Sequence, residues 1–411
     1  MSEKISWLNI LHFYQPPFQE MEIVRKVTKE CYLPVTRILL DRPGAGAIVN
    51  INGCLLELMD KFQEGKEVIE NLRSLSSIEQ IEITGTGKYH PIFPLVNKKE
   101  LKIQILRQEM SLQSFLGVQH PPSILFLPEL AYLPAQTLIF EELGYKWIII
   151  DEISVKKDKH FRGKRLLREK GGSVNFLVRE RDLSESLGNF PWRNHDIQTS
   201  GEFLNHSHRC IKGEGFVVTA LDVEVFGHHQ KERWKLLAEI YDHSSVKTIS
   251  IKNISERYET REVDAIPASW STSTDDISKR IYYPLWYHPQ NRLHRLLWQL
   301  LDLTTDEVRS KGSESQNKTM EQLLSSCPFF WASCMPWWNG IIVEKAADNM
   351  FGLLSVEEGI NERILRVAQS LKNKIYDEVS MLNKTARAKE LQDEFLANHK
   401  IKRKDLYHLI H

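Results

Sequence analysis

The sequence predicts a parallel α/β barrel followed by a helical C-terminal region. Three observations point there. Short apolar strands alternate with loops and amphipathic helices through most of the chain. Those strands repeatedly end in histidines, carboxylates, glycines and prolines, as strands do at the rim of a barrel where chemistry sits. From about Tyr283 the strand pattern gives way to helical periodicity. The expected domains are residues 1–282, the barrel, and 283–411, a helical region packed on it.

Each element follows from its residues. Residues 5–13 alternate weakly and read as a first strand, running into His12, Gln15, Pro16 and Pro17, a rigid polar edge. Residues 47–53 form a second short strand and lead to a helix through Leu55, Leu56, Leu58 and Met59. Residues 78–84 alternate apolar and polar and reach Gly85, Gly87, His90 and Pro91, where the two glycines permit a tight turn. Residues 99–116 have helical periodicity, with Leu101, Ile105, Met110, Leu112 and Leu116 apolar. Residues 124–127 are a buried strand that Pro128 ends, because proline cannot donate to a ladder. Glu129 therefore falls just past a strand's C-terminal end. A helix around 138–143 follows, then a strand over 144–151 closing on Asp151 and Glu152. Further strands span 174–178 and 215–221, the latter ending in Asp222, Glu224, Gly227, His228 and His229. A helix over 233–241 and a last short strand over 247–251 complete the alternation. Beyond Tyr283, residues 289–303 are helical, 311–317 a polar loop, 329–340 aromatic-dense, 356–382 a long amphipathic helix, and 384 to the end charged and helical.

Composition narrows the function. The 411 residues carry 54 basic and 54 acidic side chains, a balance that argues against a nucleic-acid partner. No run approaches about 18 apolar residues, so no membrane span is expected. The five cysteines are scattered without metal-ligand spacing, which suits a reduced, cytoplasmic protein, and the first residues form no apolar signal core.

The strand ends hold the chemistry. Two carboxylates on different strand ends of one barrel suit glycoside chemistry, one attacking the anomeric carbon or orienting water and the other protonating the leaving oxygen. Glu129 and Asp222 both follow apolar strands and are the best pair. Glu224, two residues on in extended chain, shares a face with Asp222. Tryptophans at such a rim would stack sugar rings. Trp270, in the loop stretch between Ile266 and Thr274, is a better platform than Trp298, which lies in a helix; Trp337 and Trp338 fall in the aromatic-dense segment. His12, His90, His228 and His229 invite a metal reading, but no His-x-x-x-His pair or cysteine pair supports one. No metal or other cofactor is expected.

These motifs together resemble glycoside hydrolase family 57. His12-Phe-Tyr-Gln15-Pro16 is similar to the family's first motif, Gly85 to Pro94 with His90-Pro91 to the second, Leu127-Pro128-Glu129 to the third, and Asp222-Val-Glu224-Val-Phe226-Gly227 to the fourth. The resemblance implies an incomplete (β/α)7 TIM-like barrel with a C-terminal α-helical region. It implies a retaining enzyme of α-amylase or 4-α-glucanotransferase type acting on an α-glucan or maltooligosaccharide. Glu129 would be the nucleophile and Asp222 the acid/base, its proton held by burial beside Glu129. His12, Gln15, His90, Glu224, His228, Trp270, Trp337 and Trp338 would bind substrate. In the fifth motif Met335 stands where some members carry an aspartate, which leaves a catalytically impaired glucan-binding or regulatory protein as one alternative. A metal-dependent carbohydrate deacetylase or mannosidase-like enzyme is the other.

Overall fold

The computed structural model describes residues 4–155, 163–190, 196–211, 215–356, 360–398 and 401. The charged end of the chain beyond residue 401 lies outside the described residues. Two compact units divide these residues: 4–88 with 101–270, and 89–100 with 271–401.

The first unit carries the described strands. β1 (Ile5–Phe13), β2 (Ala47–Ile51), β3 (Ile81–Ile83), β4 (Ile124–Phe126), β5 (Trp147–Asp151), β6 (Leu166–Glu169), β7 (Asn175–Arg179), β8 (Phe216–Asp222), β9 (Val246–Thr248) and β10 (Thr260–Val263) form two five-stranded sheets. One runs β3-β2-β1-β8, with β9 also on β1; the other runs β10-β6-β7-β5-β4. Every pairing is parallel except β6 with β7. The expected single closed ladder is therefore not formed; the hydrogen bonding makes two sheets. Backbone hydrogen bonds join them at two seams. Gly85, just beyond β3, bridges Leu125 in parallel, and Glu180 N, just beyond β7, donates to Val218 O on β8 at 2.8 Å.

Both faces of the first sheet are buried, as parallel sheets require. One face of each strand packs outward on helices: Trp7, Leu11 and Phe13 of β1 and Val49 and Ile51 of β2 join the helices in one apolar cluster. The other face, Leu8 and Ile10, Ile48, Ile124 and Phe126, Trp147 and Ile149, Leu177, and Phe216, Val218 and Ala220, forms a second, separate core that also includes Ile251 and Ile254.

Several local expectations are corrected. The last strand stops at Thr248 because Ser250 caps the helix Ile251–Arg257, its hydroxyl accepting from Asn253 N. β6 and β10 escaped the sequence reading; Leu166–Glu169 and Thr260–Val263 are short and rich in charge. In the helix Lys98–Leu116, Met110 is 60% exposed. It lies nine residues after Leu101, half a turn off the buried face.

The second unit is helical. Arg292–Lys311 buries Leu293, Leu296, Leu297, Leu300 and Leu301. The stretch 311–317 is a loop only to Ser313, which caps Glu314–Leu323 in a capping box with Gln316. The long helix expected over 356–382 is Glu362–Lys384, capped by Asn361, and Gly340–Ser355 precedes it.

Gly85 has no room for a side chain. A Cβ there would lie 2.1 Å from Tyr145 Oη, whereas one at Gly352, within Gly340–Ser355, meets nothing within 4 Å. Gly85→Ala should destabilise the protein by about 1–3 kcal/mol through overpacking. Gly352→Ala should stabilise it by about 0.5–1 kcal/mol. Denaturant titration of both variants checks the pair.

Candidate active site

The inner face of the sheet becomes polar in its last layer. Residues two apart on a strand share a face, so the row of Leu8 and Ile10 ends at His12, that of Val218 and Ala220 at Asp222, and that of Ile48 at Asn50. His12 is in register with Asp222 on one side and Asn50 on the other. Asn50 Nδ2 donates to Thr84 Oγ1 at 2.8 Å, so its Oδ1 is the acceptor facing His12 Nδ1 at 2.6 Å. Nδ1 therefore carries the hydrogen and Nε2 the lone pair. The ring stacks on Phe126, with centroids 4.6 Å apart and planes 13° apart. Burial lowers the pKa of His12, against an opposite pull from Asp222. The imidazole is neutral near pH 7.

Glu129 follows Phe126 by three residues. Pro128 closes the strand, and the chain turns through two successive left-handed residues, Glu129 (φ 59) and Leu130 (φ 49). Neither is glycine, and such conformations cost about 1–3 kcal/mol each. Tertiary contacts hold the turn. Leu130 is buried, Tyr132 and Ala268 form an antiparallel bridge, and Trp270 N donates to Glu129 O at 3.3 Å. The indole Nε1 of Trp270 donates to Glu129 Oε2 at 2.7 Å. The expected sugar platform is thus a direct partner of the carboxylate, and its N–H fixes one carboxylate oxygen.

Asp222 and Glu224 have opposite surroundings. The expected burial of Asp222 is not found: it is exposed at the end of β8. The strand ends there and Val223–Phe226 coils into a 3₁₀ turn, which carries Glu224 into the interior instead of along Asp222's face. Gln15 Nε2 donates to Glu224 Oε1 at 3.1 Å, and Tyr32 Oη donates to the same oxygen. Burial, with Asp222's charge adding to it, pushes Glu224 up to about 8. His229 is pushed down to about 4 by burial. His228 Nδ1 pairs with Glu30 Oε2 at 2.7 Å. Gln15 has both ends of its amide occupied, since Gln19 Nε2 donates to its Oε1.

The family model for Glycosyl hydrolase family 57 matches residues 7–269, well over half of the chain. The chain belongs to glycosyl hydrolase family 57. An α-amylase of Pyrococcus furiosus is 25% identical over 169 residues, 41% of this chain and 24% of that protein. A 4-α-glucanotransferase of Thermococcus litoralis is 25% identical over 167 residues, 41% of this chain and 24% of that protein. The matched stretch thus spans about a quarter of either curated relative. Among solved structures, that of the Thermococcus litoralis 4-α-glucanotransferase superposes with a TM-score of 0.68 over 85% of this chain and 60% of that one, at 15% identity. A GH57-type branching enzyme from Pyrococcus horikoshii gives 0.64 over 91% and 95%, at 13% identity. At those identities the likeness is one of fold.

Three expected site residues of this family 57 chain fall in the second unit. His90 has a left-handed backbone (φ 60), and its Nδ1 lies 3.0 Å from Ser326 Oγ. Trp337 is only 6% exposed and stacks on Phe330 with centroids 5.1 Å apart, a core position within the aromatic-dense segment. Trp338 donates its indole N–H to Asn383 Oδ1 at 3.0 Å. Among the described residues no three His, Cys, Asp or Glu side chains gather as metal ligands.

Sequence reasoning passed over Asp151, Arg179 and Arg181 as a group. Asp151 is fully buried, held by Arg179 Nη1 at 2.9 Å and Arg181 Nη2 at 2.6 Å. The only sequence signal is that opposite charges end two apolar strands.

The neutral state of Glu224 has a measurable consequence. Below about pH 4.5, its ordinary value, the folded and unfolded chains both hold the proton. Between there and about 8 only the folded chain holds it. Stability from this group is therefore present at low pH and lost as pH rises through that window. Glu224→Gln has no such proton. Its stability relative to wild type should rise across the window by a few kcal/mol, at ~1.4 kcal/mol per unit at most. Chemical denaturation at pH 5, 7 and 9 measures this; a difference flat with pH would show Glu224 ionised throughout.

Proposed function

We propose that this family 57 chain is a retaining α-glucan-active glycoside hydrolase or transglycosylase, of α-amylase or 4-α-glucanotransferase type, with Glu129 as nucleophile and Asp222 as acid/base. The observation that carries the reading is the seating of Glu129: a strained strand-end turn with one carboxylate oxygen fixed by Trp270 Nε1. A nucleophile needs such fixed aim. Asp222 ends a strand running the same way, in register with His12, and His12 stacks on the residue three before Glu129. The activities named for the similar proteins, α-amylase, 4-α-glucanotransferase and branching enzyme, support the substrate class.

In the first step Glu129 attacks the anomeric carbon, the glycosidic C–O bond breaks, and Asp222 gives its proton to the departing oxygen. In the second, Asp222 takes a proton from the acceptor, whose oxygen displaces Glu129 from the anomeric carbon. Two inversions give retention. Water as acceptor gives hydrolysis, and a sugar hydroxyl gives transfer. Asp222's exposure suits the second step, where an acceptor must reach it. His12 Nε2 accepts a hydrogen bond from a sugar hydroxyl, and His228 binds a further hydroxyl.

The scaffold we infer is an incomplete (β/α)7 barrel, the ring β1-β2-β3-β4-β5-β7-β8. The Gly85–Leu125 bridge and the Glu180–Val218 hydrogen bond support it, joining the two sheets at both seams. So does the inner core that all of those strands but β3 share. Met335 keeps the glucan-binding alternative in view, and the product assay decides it.

Incubated with linear maltooligosaccharides, the protein should change chain lengths. Shorter products alone mean hydrolysis, longer ones mean transfer, and binding without any change of length would refute catalysis. Glu129→Gln should lower turnover by roughly 10³-fold or more while the protein stays folded by circular dichroism. Trp270→Phe, which removes one hydrogen bond to a charged group, should lower kcat by about 10–100-fold. Unchanged kcat in Trp270→Phe would mean that its indole does not aim the nucleophile.

A further inference from the structure

Between the helices Met21–Val27 and Leu33–Leu40 the chain forms a π turn, Thr28–Tyr32. Such bulges occur mostly at functional positions. This one lies against the loop after β8. Three consecutive residues of the turn meet that loop: Glu30 pairs with His228, the Cys31 thiol donates to Val223 O, and Tyr32 Oη donates to Glu224 Oε1. Gly227 admits the approach, since a Cβ there would stand 2.0 Å from Glu30 O. The residues held, Val223, Glu224 and His228, all lie within the six residues after Asp222.

Tyr32 and Gln15 donate to the same oxygen of Glu224. An oxygen that accepts twice is the carbonyl-like one, so the acidic hydrogen belongs on Oε2. We propose that Tyr32 is a positioning residue for the acid/base step, fixing which oxygen of Glu224 carries a proton beside Asp222 and so setting the alkaline limit of turnover. The proposal rests on Asp222 being the acid/base. When Asp222 gives up its proton it becomes an anion. A protonated Glu224 leaves that anion unopposed, whereas an ionised Glu224 sets a second negative charge beside it. Turnover therefore falls as Glu224 ionises.

Cys31, Tyr32 and His229 do not titrate with Glu224. From the π turn, Cys31 and Tyr32 are both pushed well up by burial and by Glu224 itself, and stay protonated. Glu30 faces His228. From the loop, His229 is neutral above about pH 4. From β1, buried His12 faces Asp222 and its pKa is lowered. Gln15 carries no charge.

Tyr32→Phe keeps the ring and removes the donor. Its KM on a maltooligosaccharide should stay within about twofold of wild type, because Tyr32 touches no substrate, and its kcat above about pH 8 should exceed that of wild type, because Glu224 keeps its proton further. The alkaline limb of its pH profile should move upward, because the Glu224 carboxylate has lost a stabilising donor. A wild-type profile, or a raised KM with kcat intact, would overturn the proposal; a merely structural loss would lower the active fraction without moving the limb. A second readout needs no turnover: carboxyl ¹³C NMR titration of Glu224, assigned by comparison with Glu224→Gln. A wild-type midpoint near 8 that moves higher in Tyr32→Phe supports the assignment. A midpoint near 4.5, or one unmoved by the substitution, overturns it. An inactive wild type with the expected titration would sink the acid/base reading of Asp222 and leave the seating of Glu224 standing.

Discussion

Side chains two apart on a strand must share a face, and the strands of the first unit turn that rule into a site. The inner face is apolar through Leu8, Ile10, Val218 and Ala220, then polar at His12 and Asp222. The lower layers bury apolar surface that stabilises the sheet. They also leave no freedom of direction for the layer above. A one-residue slip of β8 against β1 would turn Asp222 away from His12 and drive Val217 and Leu221 off their helices. The register that makes the core therefore makes the site, and neither can be altered alone.

Three carboxylates within this unit differ by environment rather than by type. Glu129 is half-buried and takes a hydrogen bond from an indole. Asp222 is exposed. Glu224 is buried, accepts two hydrogen bonds on one oxygen and keeps its proton to about pH 8. Desolvation decides the last case, because transferring a carboxylate out of water costs more than two neutral donors return. Setting the protonation of neighbouring acids apart in this way lets one fold place acid and base within reach of the same atoms.

Much of the fold was legible. β1 matches its expected bounds at both ends, and the other long apolar strands lie within a few residues of theirs, because alternation and buried runs are local signals. β6 and β10 were not legible, since their edge pairing owes little to their own side chains. In the candidate site the strand ends announced Glu129, Asp222 and His12. Their partners did not announce themselves: Tyr32 is 192 residues from Glu224, and Trp270 is 141 from Glu129. Trp270 read as a sugar platform because loop composition says that an aromatic ring is near the surface, not what its N–H meets. The spacing of Asp222 and Glu224 misled for a related reason. The two-residue rule holds only while the chain stays extended, and it coils at Val223.

The buried ion cluster at the ends of β5 and β7 braces the segments that lead to both candidate carboxylates. Burying Asp151, Arg179 and Arg181 together is a poor way to gain stability, since desolvation roughly cancels the attraction. Its geometry suggests a different use. Arg179 Nε donates to Ala220 O at 2.9 Å, two residues before Asp222. Arg181 Nη2 donates to Ser269 O at 3.2 Å, one residue before Trp270. Asp151, between the two guanidinium groups, ties both contacts to β5. The strand that ends at one carboxylate and the loop that holds the other are thereby braced to one buried charge, and a strained turn at Glu129 can persist because its surroundings do not yield.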